Sequence, residues 1–329
     1  VIYHVFANRT NLGDWLSAQA IQMLLTEALG FRPPLVECLC DEPFVPETLS
    51  RLEQSTDPGD GIVIGAGGLF MDYFAPFWEG FRSLADHLPF VIWGVGLCDM
   101  KREPSRLSKA LLAPVLRNRN CKLCVVRDER TRDYLGSDRI GPAVACPTTT
   151  LITPRPVGFG LLHVDAYDNV GPENYEIMET VGQRFANRTG RRFRSINNLI
   201  PSGDRSALAT MLHHYESADL ILTGRLHGCI IGLAMGRKVL AVSGDHKVES
   251  FMRAAGLSDW VLDLDELKQL PERLAALPGQ RPPEDYLAEA RNQNRRIARF
   301  VADTLMPLAT TGSTTTTTTT TSGRKAVAP

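Results

Sequence analysis

The chain contains no run of the roughly 18 to 20 consecutive apolar residues that a membrane-spanning helix needs. Its longest apolar stretches are interrupted by Gly, His or Arg, so no transmembrane segment is expected. It also lacks an excess of either charge. Lys plus Arg number 36 against 37 for Asp plus Glu, a formal net charge of −1, and that balance does not advertise nucleic acid or another polyanion as a partner. A disulfide framework is missing as well. The seven cysteines are an odd number and sit mostly in apolar strand-like or helix-like surroundings, as at Cys98, Cys124 and Cys229, which fits reduced thiols in a cytosolic protein. Cys121-Lys-Leu-Cys124 and Cys38-Leu-Cys40 are closely spaced, but Cys121 and Cys124 share a predicted strand whose alternate residues face opposite sides. His213 and His214 are neighbours on one helix and point in different directions, so no metal is expected. There is no GxSxG, HExxH or P-loop, which leaves hydrolase and NTPase templates without support. Gly65-Ala-Gly-Gly68 falls short of the full GxGxxG dinucleotide pattern, and no cofactor is expected.

What is present is a long alternation of strand and helix signals. With 329 residues, 43% of them apolar, the chain exceeds the size at which one core keeps growing, so two domains are expected. Val1 to Ala7 reads as a strand, followed by the loop Asn8 to Gly13 and a helix through Leu29 that Gly30 ends. Gly61 to Ile64, Phe90 to Trp93 and Cys121 to Val126 read as further strands, the last leading into a polar helix from Glu129 to Leu135. Pro154-Arg-Pro156 is a stiff connection, after which a new strand is expected over Val157 to Leu162. Helices near Glu173 to Arg188 and Asp204 to Glu216 flank a strand near Arg194 to Asn197. A short strand at Trp260 to Leu262 and helices on either side of Pro282-Pro283 close the pattern. Such alternation argues for parallel sheets covered on both faces. The expected division is an N-terminal Rossmann-like lobe over 1–154, a second over 155–283, and a helix over 284–306 bracing the two. A Thr-rich tail over 307–329 has no apolar period and is expected to be disordered. The chain opens at Val1 already inside a strand, so a start methionine or removed leader lies outside the sequence read.

The most informative segment runs from Asp219 to Gly236. Leu220 to Thr223 is a short buried strand, Leu226 to Met235 is apolar apart from His227, and Lys238 to Ser243 resumes as a strand. In such a βαβ unit the strand-to-helix loop opens at the carboxyl edge of the sheet, where unpaired helix amides suit an anion. Arg225 offers a fixed fork of donors and His227 an imidazole that titrates near neutrality, so the pair could hold a charged substrate and move a proton. The bland alternative is a structural ion pair and a helix cap. Gly228 and Gly232 read as packing positions. Asn11, Gly13 and Asp14 occupy another strand-to-helix loop, where Asp14 is a natural N-cap. Gly67 and Gly68 allow close backbone approach to a ligand. Arg127 follows a buried strand and faces the same space if both sheets open on one cleft, or else pairs with Asp128, Glu129 or Asp133. Lys247 ends a further strand within reach. Tyr73, Phe74, Phe77 and Trp78 could stack on sugar faces or simply be core.

Taken together, Asn11-Leu-Gly-Asp14, Gly65-Ala-Gly-Gly68, Val126-Arg-Asp-Glu129, Thr223-Gly-Arg-Leu-His-Gly228 and Asp245-His-Lys247 resemble the polysaccharide pyruvyl transferase family. The Arg-Leu-His segment is the specific part. The resemblance implies two Rossmann-like lobes in the arrangement of GT-B glycosyltransferases and transfer of pyruvate from phosphoenolpyruvate to a sugar as a ketal, with phosphoenolpyruvate a co-substrate and not a cofactor. It assigns Arg225, Leu226, Arg127 and Lys247 to the donor, His227 to acid or base chemistry, and the Asn11, Gly13, Asp14, Gly67 and Gly68 loops to the acceptor side of the cleft. It further implies an exopolysaccharide pathway and a cytoplasmic enzyme, free or peripheral at the membrane, acting on a saccharide that is free or lipid-linked. Many members carry Asp where this chain has Cys146 before Pro147. The rival readings are a GT-B glycosyltransferase using a nucleotide sugar and a non-catalytic glycan-binding protein of the same fold. No two glutamates lie eight positions apart, the spacing often shown by retaining members of the first rival.

Overall fold

The computed structural model describes residues 1–307 apart from 56, 58 and 201–203, so the expected Thr-rich tail beyond residue 307 lies outside the described residues. The first half runs β1 (Ile2–Phe6), α1 (Leu12–Leu29), β2 (Leu35–Leu39), α2 (Val45–Gln54), β3 (Gly61–Ile64) and β4 (Gly67–Phe70). It continues with α3 (Ala75–Leu84), β5 (Phe90–Leu97), α4 (Lys109–Arg117), β6 (Cys121–Val126), α5 (Glu129–Leu135) and α6 (Thr148–Leu151). The second half runs β7 (Gly160–Val164), α7 (Tyr167–Val170), α8 (Pro172–Thr189), β8 (Arg192–Ile196), α9 (Arg205–Glu216) and β9 (Leu220–Thr223). It closes with α10 (Leu226–Ala234), β10 (Lys238–Ser243), α11 (His246–Ala254), β11 (Val261–Asp263), α12 (Leu270–Ala276) and α13 (Glu284–Leu305).

These elements form two Rossmann-like lobes. The first sheet is ordered β2-β1-β3-β5-β4 with β6 also on β5, the second β11-β10-β9-β7-β8, and every pairing is parallel. A parallel sheet covered on both faces requires strands apolar along their whole length. β3, β5, β7 and β9 come close to that requirement, with every residue buried and only His163 and Thr223 polar. The glycine-rich segment after β3 was expected to be loop, yet Gly67 to Phe70 is strand because β5 runs on past the end of β3 and leaves its far half to pair with β4. The strand expected over Val157 to Leu162 instead starts at Gly160. Val157 and Phe159 are 63% and 57% exposed, and pairing begins only where Gly160 meets Arg192.

Helix ends place the loops that matter. Asn11, not Asp14, caps α1 by accepting from the Gly13 amide, which leaves Asp14 in the first turn, and Gly30 closes the helix in the left-handed conformation. Asp128 and Asp245 cap α5 and α11, which follow β6 and β10. Main-chain hydrogen bonds link the lobes at two rims. Leu12 N and Ile200 N donate to Asn198 O and Thr10 O on one side, and Lys101 N and His246 N to Gly244 O and Asp99 O on the other. α13 lays Ala298, Val301 and Leu305 into a core shared with Ile21, Leu24 and Trp93. Its fully buried Asn294 accepts from Trp93 Nε1 and donates to Ala145 O, both at 2.9 Å. Near its start, Tyr286 meets Phe251 of α11 edge-on.

The connector between the halves is anchored by one side chain. Arg237, 2% exposed, donates to the carbonyls of Tyr215, Arg155 and Pro156 at 3.1, 3.2 and 2.8 Å. Arg237→Ala leaves those buried acceptors unmatched and is expected to cost about 1–3 kcal/mol, read as a lower guanidinium midpoint. An unchanged midpoint would remove this role from Arg237.

Candidate functional site

The carboxyl edges of both sheets face each other, and between them lies a pocket of about 230 Å³. The first lobe contributes Asn11, Asp14, Gly68, Met71, Phe74, Cys98 and Arg127; the second contributes Asn169, Asn198, Arg225, Leu226, His227 and Lys247. In the second sheet the chain leaves β7 towards β8 and returns to β9 on the other side, the kind of switch point at which a ligand crevice opens. Arg225 bridges that point, because its Nε donates to Asp165 O just beyond β7 while its backbone amide is held by Thr223 Oγ1 at 2.9 Å.

The three cations differ in how firmly they are held. Arg127 is 9% exposed, donates through Nη2 to Leu97 O at 2.9 Å and lies 3.6 Å from Asp128, while its buried Nε has no hydrogen-bond partner. Lys247 Nζ lies 2.7 Å from Asp245 Oδ2 and 2.9 Å from Cys98 Sγ. Burial works against its ammonium form, but Cys98 and Asp245 outweigh that and hold its pKa above the ordinary lysine value. Arg225 has no partner for its terminal nitrogens among the described residues. Spare donors on two guanidiniums beside an ammonium form a site for a small anion with more than one charged end.

His227 stands at the start of α10 with Nε2 3.2 Å from Ser17 Oγ and 3.6 Å from Cys146 Sγ. Ser17 in turn donates to Gly13 O at 2.8 Å and lies 2.9 Å from Thr148 Oγ1. With the hydroxyl proton of Ser17 committed to a carbonyl, its oxygen accepts from the ring, which puts the proton of the neutral imidazole on Nε2. Burial, then the charges of Arg127, Lys247 and Arg225, push the His227 pKa down to about 3. Asp14 moves the other way, to about 6, chiefly through burial, with Arg127 opposing and Asp41 assisting. A carboxyl that titrates high and an imidazole that stays neutral thus share one small chamber.

Two glycines make this packing possible. A Cβ at Gly13 would run into the His227 ring, and one at Gly67, whose φ is +106°, would sit 2.7 Å from Asp14 Oδ1. Gly13→Ala is expected to push the ring off Ser17 and cut activity by about 10-fold or more with the fold intact by circular dichroism. Full activity in that variant would mean the ring position is unimportant. Gly228 and Gly232 pack on Thr223 and on Val239 and Ile221. Phe77 and Trp78 are core, Phe74 lines the pocket, and Tyr73 is 46% exposed.

Beyond Arg127, Leu226 and Lys247, which line both spaces, a wider cleft of about 750 Å³ carries Tyr134, Phe251 and Tyr286, with Arg106 and Arg130 paired to buried Asp99. Among the described residues no cluster of His, Cys, Asp or Glu could hold a metal ion, and no helix is long and apolar enough to cross a membrane. Ser17 and Thr148 escaped sequence reasoning, and Cys146 was singled out only as a departure from Asp, with no place at the imidazole. Only Ser17, one helical turn beyond Gly13 and Asp14, carried a local hint.

The family model for polysaccharide pyruvyl transferase matches residues 11–246. The chain belongs to this family. The matched span opens at the cap of α1 and closes one residue short of Lys247, so Ala7 and Lys247 are the pocket-lining residues that lie outside it. No curated protein matches the chain. Among solved structures, MnaA of S. aureus in complex with UDP is similar with a TM-score of 0.56 at 11% identity, over 92% of this chain and 96% of that one. UDP-GlcNAc 2-epimerase of Methanocaldococcus jannaschii, in complex with UDP-GlcNAc and UDP, is similar with a TM-score of 0.55 at 10% identity, over 92% and 98%. These likenesses show the fold, and with it the GT-B arrangement of this family member.

Proposed function

We propose that the protein transfers pyruvate from phosphoenolpyruvate to two hydroxyls of a saccharide, forming a cyclic ketal. The observation that carries this reading is the small pocket itself, in which Arg127, Arg225 and Lys247 surround a neutral His227. At about 230 Å³ it lies below the roughly 300–1,000 Å³ usual for drug-sized ligands. That suits a three-carbon ester with a phosphate at one end and a carboxylate at the other. A nucleotide sugar would have to extend from it into the wider cleft. Membership of the family supports the same reaction.

The chemistry matches the groups available. The cations take the phosphate and carboxylate, and an imidazole that starts neutral, with its Nε2 proton on Ser17, has the unprotonated Nδ1 to accept the proton of an attacking hydroxyl. Leaving phosphate then takes that proton from the imidazolium. The saccharide approaches along the wider cleft, where aromatic Tyr134 and Tyr286 alternate with carboxylates and guanidiniums able to match hydroxyls as both donors and acceptors.

The competing donor is a nucleotide sugar, favoured by the size of the wider cleft and by the UDP bound in the solved structures of similar fold. Thermal shift separates the two, since a ligand that binds the native state raises the melting temperature. Phosphoenolpyruvate should stabilise the protein and UDP should not. Incubation with phosphoenolpyruvate and a panel of hexosides should release inorganic phosphate and add the mass of a pyruvyl group to one acceptor. Stabilisation by UDP alone, with no phosphate released for any hexoside, would overturn the proposal.

A further inference from the structure

We infer that Asp14 is the acid that protonates the methylene carbon of the donor, and that His227 serves the incoming hydroxyl as base. This division of labour rests on the pyruvyl-transfer reading. Its ground is geometric. Asp14 and His227 line the same pocket from opposite lobes, and the other aspartates around it are committed elsewhere. Asp245 holds Lys247, Asp128 caps α5, Asp99 takes Arg106 and Arg130, and Asp41 accepts from Asn8. Asp14 alone has no hydrogen-bond or ion-pair partner among the described residues, although Arg127, Arg225 and Lys247 share its chamber. The Gly67 backbone opposite is bare where the carboxyl sits.

A free carboxylate facing an anionic donor would repel it, so the form compatible with binding is the protonated one. The groups bearing on Asp14 act accordingly. Burial and Asp41 favour its neutral form, while Arg127, Lys247 and Arg225 oppose it. Once the donor's own charges neutralise those three cations, their opposition falls and the carboxyl takes up a proton as the donor binds. His227 cannot supply that proton near neutral pH because it begins uncharged, with Nε2 tied to Ser17.

The steps balance. Asp14 gives its proton to C3, charge develops at C2, and the first hydroxyl oxygen bonds to C2 as its proton passes to His227. The C2–O bond to phosphate then breaks, and phosphate departs with the proton from His227. The second hydroxyl bonds to C2 and returns a proton to the Asp14 carboxylate, restoring both residues.

Calorimetry of phosphoenolpyruvate binding at about pH 7, in buffers of different ionisation enthalpy, should show proton uptake by the wild-type protein. In Asp14→Asn, binding should be at least as tight, uptake should disappear, and phosphate release with an accepting saccharide should fall by about 100-fold or more. Asp14→Ser should give the same pattern and replaces the amide variant if that one fails to fold. Uptake unchanged in the variants, or turnover within about threefold of wild type, overturns the assignment to Asp14 while leaving the donor in place. Absence of phosphoenolpyruvate binding by the wild-type protein removes the reading beneath it and the assignment together.

Discussion

Replacing His227 by alanine is expected to lower turnover by about 10²- to 10⁴-fold, the range typical of a positioned acid or base, while phosphoenolpyruvate still binds. The imidazole is uncharged near neutrality, with its pKa pushed down to about 3, so removing it takes no positive charge away from the anion. What is lost is the proton acceptor for the attacking hydroxyl. Phosphate release would report the loss of turnover and titration calorimetry the retained affinity. Turnover close to wild type with donor binding intact would sink the role given to His227. The sign of its pH dependence follows from the same depression. A base with so low a pKa is competent throughout the neutral range and is lost only as pH falls towards about 3.

Arg225→Ala should have the opposite signature, a large loss of donor affinity. Hydrogen bonds to charged groups contribute about 1.5–3 kcal/mol, or roughly 10- to 150-fold in affinity. Arg225 presents its spare nitrogens to the pocket while Nε is fixed on Asp165 O. That anchor also makes lysine a poor substitute, because a single ammonium cannot hold the carbonyl and fork an anion at once. Arg225→Lys should therefore recover little of the affinity. The check is the melting-temperature rise produced by a fixed concentration of phosphoenolpyruvate, which should shrink in both variants. A rise equal to that of the wild-type protein would show that the anion sits elsewhere.

Much of the scaffold was legible because parallel sheets write themselves in apolar runs. Gly61–Ile64, Cys121–Val126, Leu220–Thr223 and Lys238–Ser243 are continuous apolar or nearly apolar segments closed by turn residues, and each is a strand with the expected bounds. Where the run was misleading, context decided. Val157 and Phe159 look like strand yet lie outside it, and Gly67 and Gly68 look like loop yet pair with the far half of β5. Asn11 and Asp14 are both capping types, and local composition cannot say which begins the helix. The choice is made by Asn198 from the other lobe, whose carbonyl receives the Leu12 amide.

The pocket shows the same split. Arg127, Arg225, His227 and Lys247 each follow a buried strand, and in parallel sheets all such positions lie on one edge, so their meeting at one pocket has a local cause. The partners of His227 have none. Ser17 and Cys146 reach its ring from 210 and 81 residues away in the chain, and no periodicity connects such positions. Cys146 stood out in the sequence only as a departure from Asp. In three dimensions that departure lies against the imidazole, with Cys146 Sγ 3.6 Å from His227 Nε2.

The paired main-chain links at the two rims, Leu12 and Ile200 on one side and Lys101 and His246 on the other, act as stitches across the mouth of the chamber. Opening the cleft would require breaking them. These links favour the separation of Arg127 and Arg225 present in the folded chain, which lowers the share of a ligand's affinity consumed in drawing the lobes together.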